Sequence, residues 1–200
     1  MKVASHPLFE HRWPDGEFRL FQLGFVVPDL MSAAAHWVQV FGVGPFHIMS
    51  RAQNTCRYRG ADASVDIQIG VAQAGPVQVE LIQDYTSGNS VFKDMAMVHG
   101  RRFLGLHQVS TLTRNYDSKV AQYIDQKFEL ACEFTNPGQR VAFFGTVEDF
   151  GFFTEIVEEK PIFQTNLAKI SHTCEGWDGT DPIRVLPRDG YRIPDDQNSN

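Results

Sequence analysis

The sequence predicts an α+β fold built from two tandem βαβββ modules. Three observations carry that expectation. A strand-like run that passes into a helix, Phe21-Gln22-Leu23-Gly24-Phe25-Val26-Val27-Pro28-Asp29-Leu30, returns in altered form as Leu106-His107-Gln108-Val109-Ser110-Thr111-Leu112-Thr113. Each copy is followed by a helical stretch and then by further strands. Each closes on a strand with a glutamate among apolar neighbours, Val79-Glu80-Leu81-Ile82 in the first and Thr154-Glu155-Ile156-Val157 in the second. Repetition of this kind marks two units built alike, with a site shared between them.

Residues 1–17 are polar, contain two prolines and read as an N-terminal arm rather than a signal peptide. The first module spans 18–87. Its first strand runs from about Leu20 to Val27; Pro28 stops it, and Asp29 is placed to cap a helix reaching Phe41. Ala34, Trp37, Val38 and Phe41 recur at helical spacing and so face the core. Gly42 ends the helix, and Gly44-Pro45 turns the chain into a short strand, Phe46 to Ser50. Residues 51–63 are polar and read as a loop or an irregular strand. Val65, Ile67, Ile69 and Val71 alternate with polar or small residues, the mark of a half-buried strand. After the turn Ala74-Gly75-Pro76, a last strand runs from Val77 to Gln83.

Residues 88–105 form a connection with a helix over about Ser90 to Val98. The second module spans 106–160, with a helix from Asp117 to Lys127 and strands near 129–135, 141–147 and 152–158. Asn136-Pro137-Gly138 is a hairpin turn by composition. Residues 161–200 hold a helix from about Phe163 to Cys174 and a tail that Trp177 anchors, with disorder expected over 194–200.

The net charge of -6 argues against a nucleic-acid groove or an anionic membrane surface as partner. No apolar run approaches the ~18 residues that span a bilayer. Cys56, Cys132 and Cys174 are isolated, which excludes a zinc knuckle or dithiol site and suits a reducing cytoplasm, the expected location. Sixteen phenylalanines suit core filling or an apolar pocket. His36, His47, His99 and His172 stand at no metal-binding spacing and read as surface or helix-face residues. Arg101-Arg102 reads as a solvated loop pair, or as a steering patch for an anionic substrate.

These stretches, with Phe41-Gly42-Val43-Gly44-Pro45-Phe46, Gly105-Leu106-His107-Gln108-Val109 and Gly176-Trp177-Asp178-Gly179, resemble the vicinal oxygen chelate (glyoxalase/bleomycin resistance/dioxygenase) superfamily. The words are most similar to its glyoxalase-like, methylmalonyl-CoA epimerase-type branch, over about residues 18 to 186. The resemblance implies that each module curls into half of a barrel-like mixed sheet with helices outside. It also implies four metal-ligand positions, one on the first and one on the last strand of each module. In this sequence they fall on Gln22, Glu80, Gln108 and Glu155.

The resemblance brings histidines to the first-strand positions, and this sequence has glutamines. An all-oxygen set favours magnesium, manganese or calcium over zinc or iron, with affinity weakened by the neutral amides, so the metal is optional. Without it, Glu80 and Glu155 would share a proton in an apolar cavity and move protons near neutral pH. The register of the second module puts Gln108 in the ligand position: Gln22 lies seven residues before Asp29, and Gln108 seven before Asn115. His107 is then one residue off and is expected on the opposite face, unless a bulge exchanges the two.

The expected function is that of a glyoxalase-like lyase or isomerase. It would transfer a proton next to a carbonyl, through an enolate, on an acyl-CoA or similar small molecule. Glu80 and Glu155 are the catalytic candidates. Taken singly, each glutamate is an ordinary residue of an amphipathic strand; their equivalent places and apolar neighbours set them apart. Two other readings stand beside this one: a non-catalytic protein that binds and sequesters a hydrophobic small molecule, and an iron-dependent dioxygenase if His107 faces inward. A homodimer is expected because modules of this kind expose strand edges.

Overall fold

The computed structural model describes residues 19–99, 105–136 and 139–186. In chain order the elements are β1 (Arg19–Val26), α1 (Leu30–Phe41), β2 (Phe46–Ile48), β3 (Ala52–Tyr58), β4 (Ala61–Ala74), β5 (Val77–Asp84), α2 (Val91–His99), β6 (Gly105–Thr113), α3 (Tyr116–Asp125), β7 (Leu130–Asn136), β8 (Gln139–Phe144), α4 (Val147–Phe150), β9 (Phe153–Glu158), α5 (Pro161–Cys174) and β10 (Ile183–Val185). The strands follow the order β10-β2-β4-β3-β7-β8-β9-β6-β1-β5, and β5 also pairs with β4. Eight strands therefore close on themselves as a barrel, four from each module, with β2 and β10 as a side flap. The modules meet along two seams, β1 against β6 and β3 against β7, both antiparallel. Both seams lie within one chain, so no second copy is needed to pair these strands. None of the described helices is long and apolar enough to cross a membrane.

Local chemistry explains the first module's helix. Asp29 Oδ1 accepts the Ser32 amide at 2.8 Å, and Gly42 takes a left-handed φ of 65° that closes the last turn. The helix buries Leu30 and Ala34 against Phe46, Ile48, Ala72, Val79 and Leu81. Each fully buried side chain of this size contributes about 1.5–3 kcal/mol. Tyr116 and Tyr123 of α3 pack likewise on Ala142, Phe144 and Ile156. The α2 helix does something different. Its Val91, Phe92 and Met95 meet residues from seven barrel strands, among them Val26, Cys56, Cys132 and Phe134, and so plug one mouth of the barrel.

Several expectations need correction. Of the two readings of residues 51–63 the strand holds, but it is regular: β3 and the start of β4 form a hairpin through Arg59 and Gly60, both at positive φ. Its polar composition reflects a largely exposed pair of strands. The expected strand over 141–147 stops at Phe144, and Val147–Phe150 is a helical turn. The short β10 pairs in parallel with β2. His47 is buried, 1% exposed, instead of lying on the surface. Trp177 packs against Gly44, in the loop between α1 and β2, where a Cβ would lie 2.8 Å from the indole. The N-terminal arm, the Arg101-Arg102 pair, the Pro137-Gly138 turn and residues 194–200 lie outside the described residues.

The β3–β7 seam has only two paired positions, Arg57 with Glu133 and Tyr58 with Cys132. Side chains reinforce it. Tyr58 donates to Asp94 Oδ1 at 2.6 Å, and Arg59 bridges Asp94 of α2, at 3.0 Å, to Glu129. Asp94 is 4% exposed. Removing the guanidinium in Arg59→Ala leaves a buried carboxylate with Tyr58 alone. A loss of about 1–2 kcal/mol in urea unfolding is expected, discounted for the exposure of Arg59 itself. Arg57→Ala, whose side chain is 62% exposed, should leave the unfolding midpoint nearly unchanged.

Candidate functional site

The site is set by strand register. β1 lies between β5, which it pairs in parallel, and β6, which it pairs antiparallel. Gly24 is the register partner of Glu80 on one side and of Gln108 on the other. The three residues form one row across three strands. Gly24 has no side chain to fill the middle of that row; a Cβ there would sit 2.2 Å from Gln108 Nε2. The Gln108 side chain lies over this gap and its Nε2 donates to Glu80 Oε2 at 3.0 Å. A second row follows two residues along, where Ser110 pairs with Gln22 of β1 and with Glu155 of β9. Ser110 Oγ donates to Glu155 Oε2.

Gln22, Glu80, Gln108 and Glu155 all open on one cavity of about 330 Å³. That is at the small end of the ~300–1,000 Å³ typical of small-molecule sites. Its walls are mostly aromatic and aliphatic: Phe21, Phe92, Phe134 and Phe143 come from the barrel and its plug, and Phe163 from α5. The phenylalanines thus serve both core and pocket. Asn54, Gln139 and Asn166 add a second polar group on the wall, and Gln139 Nε2 has no hydrogen-bond partner among the described residues.

His107 needs a correction. The β1–β6 register slips between the pairs Gly24–Gln108 and Phe25–Leu106, so His107 is the extra residue of a bulge. Gln108 faces the cavity, as the alternation argument requires. His107, however, does not turn to the outer face. Its ring is fully buried on the inner side, stacked on Phe153 at 4.9 Å and beside Phe92 and Phe143 at 5.4 and 6.2 Å. It does not line the cavity. Its Nε2 meets Val91 O at 2.9 Å, and its Nδ1 meets the Gln108 amide.

Burial pushes the Glu80 carboxyl up to about 8, with repulsion from Glu155 adding to it and the Gln108 bond opposing it. Burial likewise pushes Glu155 up to about 7, against the Ser110 hydrogen bond. Glu80 is half-buried and lines the cavity. Two such carboxyls do not both ionise cheaply, so near neutral pH the pair holds one proton between them.

The donor set does not fit the divalent ion implied by the resemblance. The Gln108 amide is spent on Glu80 and His107. What remains toward the cavity is one neutral amide, Gln22, and the two carboxyls. Two further participants are legible in the sequence: Ser110 stands two residues after Gln108 and Gly24 two after Gln22, so each shares a strand face with an expected site residue. The bulge at His107 had no such signal.

Two outcomes follow. Gly24→Ala drives a methyl into the Gln108 amide, and should cost about 1–3 kcal/mol in chemical unfolding and break the Gln108–Glu80 contact. The raised carboxyls also make stability depend on pH. Their ordinary value is 4.5, so in the window between 4.5 and about 7 to 8 the folded state holds more protons than the unfolded state. The stabilisation is complete below that window and is lost as pH rises through it. Relative to the double variant Glu80→Gln, Glu155→Gln, the wild type should therefore lose thermal stability from pH 5 to pH 8, while buried His47 and His107, pushed toward the neutral form, act in the opposite sense in both proteins.

A family profile described as Glyoxalase/Bleomycin resistance protein/Dioxygenase superfamily matches residues 21–143. No curated protein matches the chain. Among solved structures, methylmalonyl-CoA epimerase from Mycobacterium tuberculosis is similar at 16% identity and TM-score 0.54, covering 78% of this chain and 97% of its own. A substituted Streptomyces coelicolor methylmalonyl-CoA epimerase, in complex with 2-nitronate-propionyl-CoA, matches at 16% identity and TM-score 0.51, over 74% and 98% of the two chains. A hypothetical protein from Bacillus halodurans C-125 matches at 13% and 0.51, over 72% and 96%. At these identities the structures speak for the fold. The family profile covers more than half of the chain, which belongs to the Glyoxalase/Bleomycin resistance protein/Dioxygenase superfamily.

Proposed function

We propose that the protein catalyses proton transfer at a carbon next to a carbonyl, as a lyase or isomerase of epimerase type. One observation carries this reading: two carboxyls, Glu155 buried and Glu80 half-buried, stand beside amide groups in a mostly apolar cavity, where burial pushes both upward. A carboxyl tuned to this range is matched to general acid–base work near pH 7. The ionised member of the pair takes the α-proton, and the C–H electron pair moves into the enolate. An N–H of the Gln22 amide stabilises the developing oxyanion. The protonated member returns a proton to the α-carbon as the enolate collapses. No metal ion enters these steps.

The substrate class follows from the cavity and the fold. A 330 Å³ space takes a short acyl group and leaves a large carrier outside. A thioester of coenzyme A meets that requirement, and one of the similar epimerases was solved with such a ligand. An iron dioxygenase fits poorly, since His107 has both ring nitrogens engaged and lies under Gln108. The apolar walls favour one other reading, in which the protein binds a hydrophobic small molecule without turning it over.

The test is solvent exchange. The full chain is incubated in D2O with a panel of short acyl-CoA thioesters, and deuterium at the α-carbon is followed by mass spectrometry. Exchange by the wild type, lowered about 10²–10⁴-fold in Glu155→Gln, is the expected result. Undiminished exchange in Glu155→Gln would remove Glu155 from the chemistry. Saturable binding with no exchange on any thioester would establish the sequestration reading instead.

A further inference from the structure

We propose that the end of the cavity away from α2 is a subsite for an uncharged amide group of the ligand, formed by the carboxamides of Asn54, Gln139 and Asn166. The subsite stands on either reading of the function. Only its use by the carrier arm of a thioester rests on the proton-transfer reading.

Three separate elements supply these side chains, and each does so by interrupting an apolar stripe. On β3 the inward positions are Asn54, Cys56 and Tyr58; on β8 they are Gln139, Val141 and Phe143. On α5, Phe163 and Asn166 line the cavity and Ile170, one turn on, is buried. Asparagine is a poor residue for a helix interior, so local stability does not account for Asn166. Cys56 and Phe143 meet the α2 plug. Asn54 and Gln139 lie farther along the same two strands, both on the side away from it. The β3–β7 register pairs Arg57 with Glu133; carried on in the same sense, it sets Asn54 level with Asn136, and Asn136 pairs with Gln139. The Phe163 ring packs edge-on against Phe21 at 5.7 Å, which holds this face of α5 on the cavity wall.

The cations at this end are spent elsewhere. Arg140, next to Gln139, is held by Glu158 and Asp117, and Arg51 by Asp66. Among the described residues that line the cavity there is no Lys, Arg or His. A ligand carboxylate would lose its water there with no cation to pair with. A neutral amide escapes that cost, and both of its ends find partners. Asn54 Nδ2 donates to Ala52 O at 3.2 Å, which leaves Oδ1 as an acceptor. Gln139 Nε2 is buried and has no partner among the described residues, so it is a donor in want of an acceptor. A secondary amide carries one N–H and one C=O, the complement of that pair. Asn166 adds a further donor and acceptor from α5. Two sources bring such a group. In a thioester of coenzyme A, the arm that leaves the sulfur carries an amide a short way on. A sequestered small molecule would carry its own.

The deciding experiment needs no reaction. The 15N-labelled full chain is titrated with three probes that contain no thioester: S-butyl-N-acetylcysteamine, the ester with oxygen in place of its N–H, and the S-butyl thioether of mercaptopropionate. The side-chain NH2 signals of Asn54, Gln139 and Asn166 should move and saturate with the amide. The ester should bind about 3–10-fold more weakly, for the loss of one hydrogen bond. The carboxylate should give no saturable shift. Gln139→Met keeps the bulk and should weaken the amide by a similar factor. A carboxylate bound as tightly as the amide, or amide binding that leaves these NH2 signals unmoved, would overturn the proposal. The wild-type titrations decide it even if the variant does not fold. Deuterium exchange then identifies the source. If the amide belongs to a thioester's arm, the butanoyl thioester of N-acetylcysteamine should show a KM about 10–100-fold below that of the ethyl thioester, with kcat alike. Equal KM values would overturn the carrier-arm assignment and place the amide in a different ligand. Absence of exchange on either thioester would refute the proposed reaction and leave the titrations untouched.

Discussion

Everything at the centre of this molecule depends on one contact that crosses between modules: the Gln108 amide lying over Gly24 to reach Glu80. It exists only while β1 keeps its register with β5 on one side and β6 on the other. A slip of one residue on either side would send the row to the outer face and bring apolar residues in. The outer helices guard against that slip. α1 and α3 each bury a separate apolar layer whose residues alternate with those of the site row, so site register and core register are a single constraint.

An eight-stranded barrel has an interior about wide enough to be filled by its own side chains. Here one end is filled and the other is not. α2 inserts Phe92 and Met95 into one mouth, where they meet Phe134, Phe143 and Phe153. The rest stays open as the cavity. The polar rows lie at the boundary between filled and open halves. That position gives them an environment dry enough to shift a carboxyl and a free side on which a ligand can approach. Polar groups in such a place need partners or a change of charge, and both occur: hydrogen bonds from Ser110 and Gln108, and a proton held by the glutamate pair.

The legible parts of this fold were those governed by local period. The β1 strand, its capped helix and the glutamate-bearing strands each announce themselves by alternation, by Asp29 or by Gly42. The resemblance put Gln22, Glu80, Gln108 and Glu155 at the four site positions, with the repeat register choosing Gln108, and the structure gathers all four around one cavity. The illegible parts need information from elsewhere in the chain. The β3–β4 hairpin is polar because its strands are mostly exposed, so it lacked the apolar beat of a strand. β10 is three residues long and exists because β2 offers it an edge. The bulge at His107 is a property of two strands together, and no single-strand pattern encodes it. The role of Gly24 likewise needs both of its registers at once.

The glutamines at positions 22 and 108 remove two nitrogen donors, and they change what the carboxylates must do. In a site built around a dication, two glutamates keep their charge because the ion neutralises it. With Gln108 committed to its neighbours, Glu80 and Glu155 have only a few hydrogen bonds, and burial, with repulsion from Glu155 added at Glu80, favours keeping a proton on the pair. A shared proton is itself a reagent. It makes one carboxyl an acid and the other a base at the same pH, the pairing that removal and return of an α-proton requires.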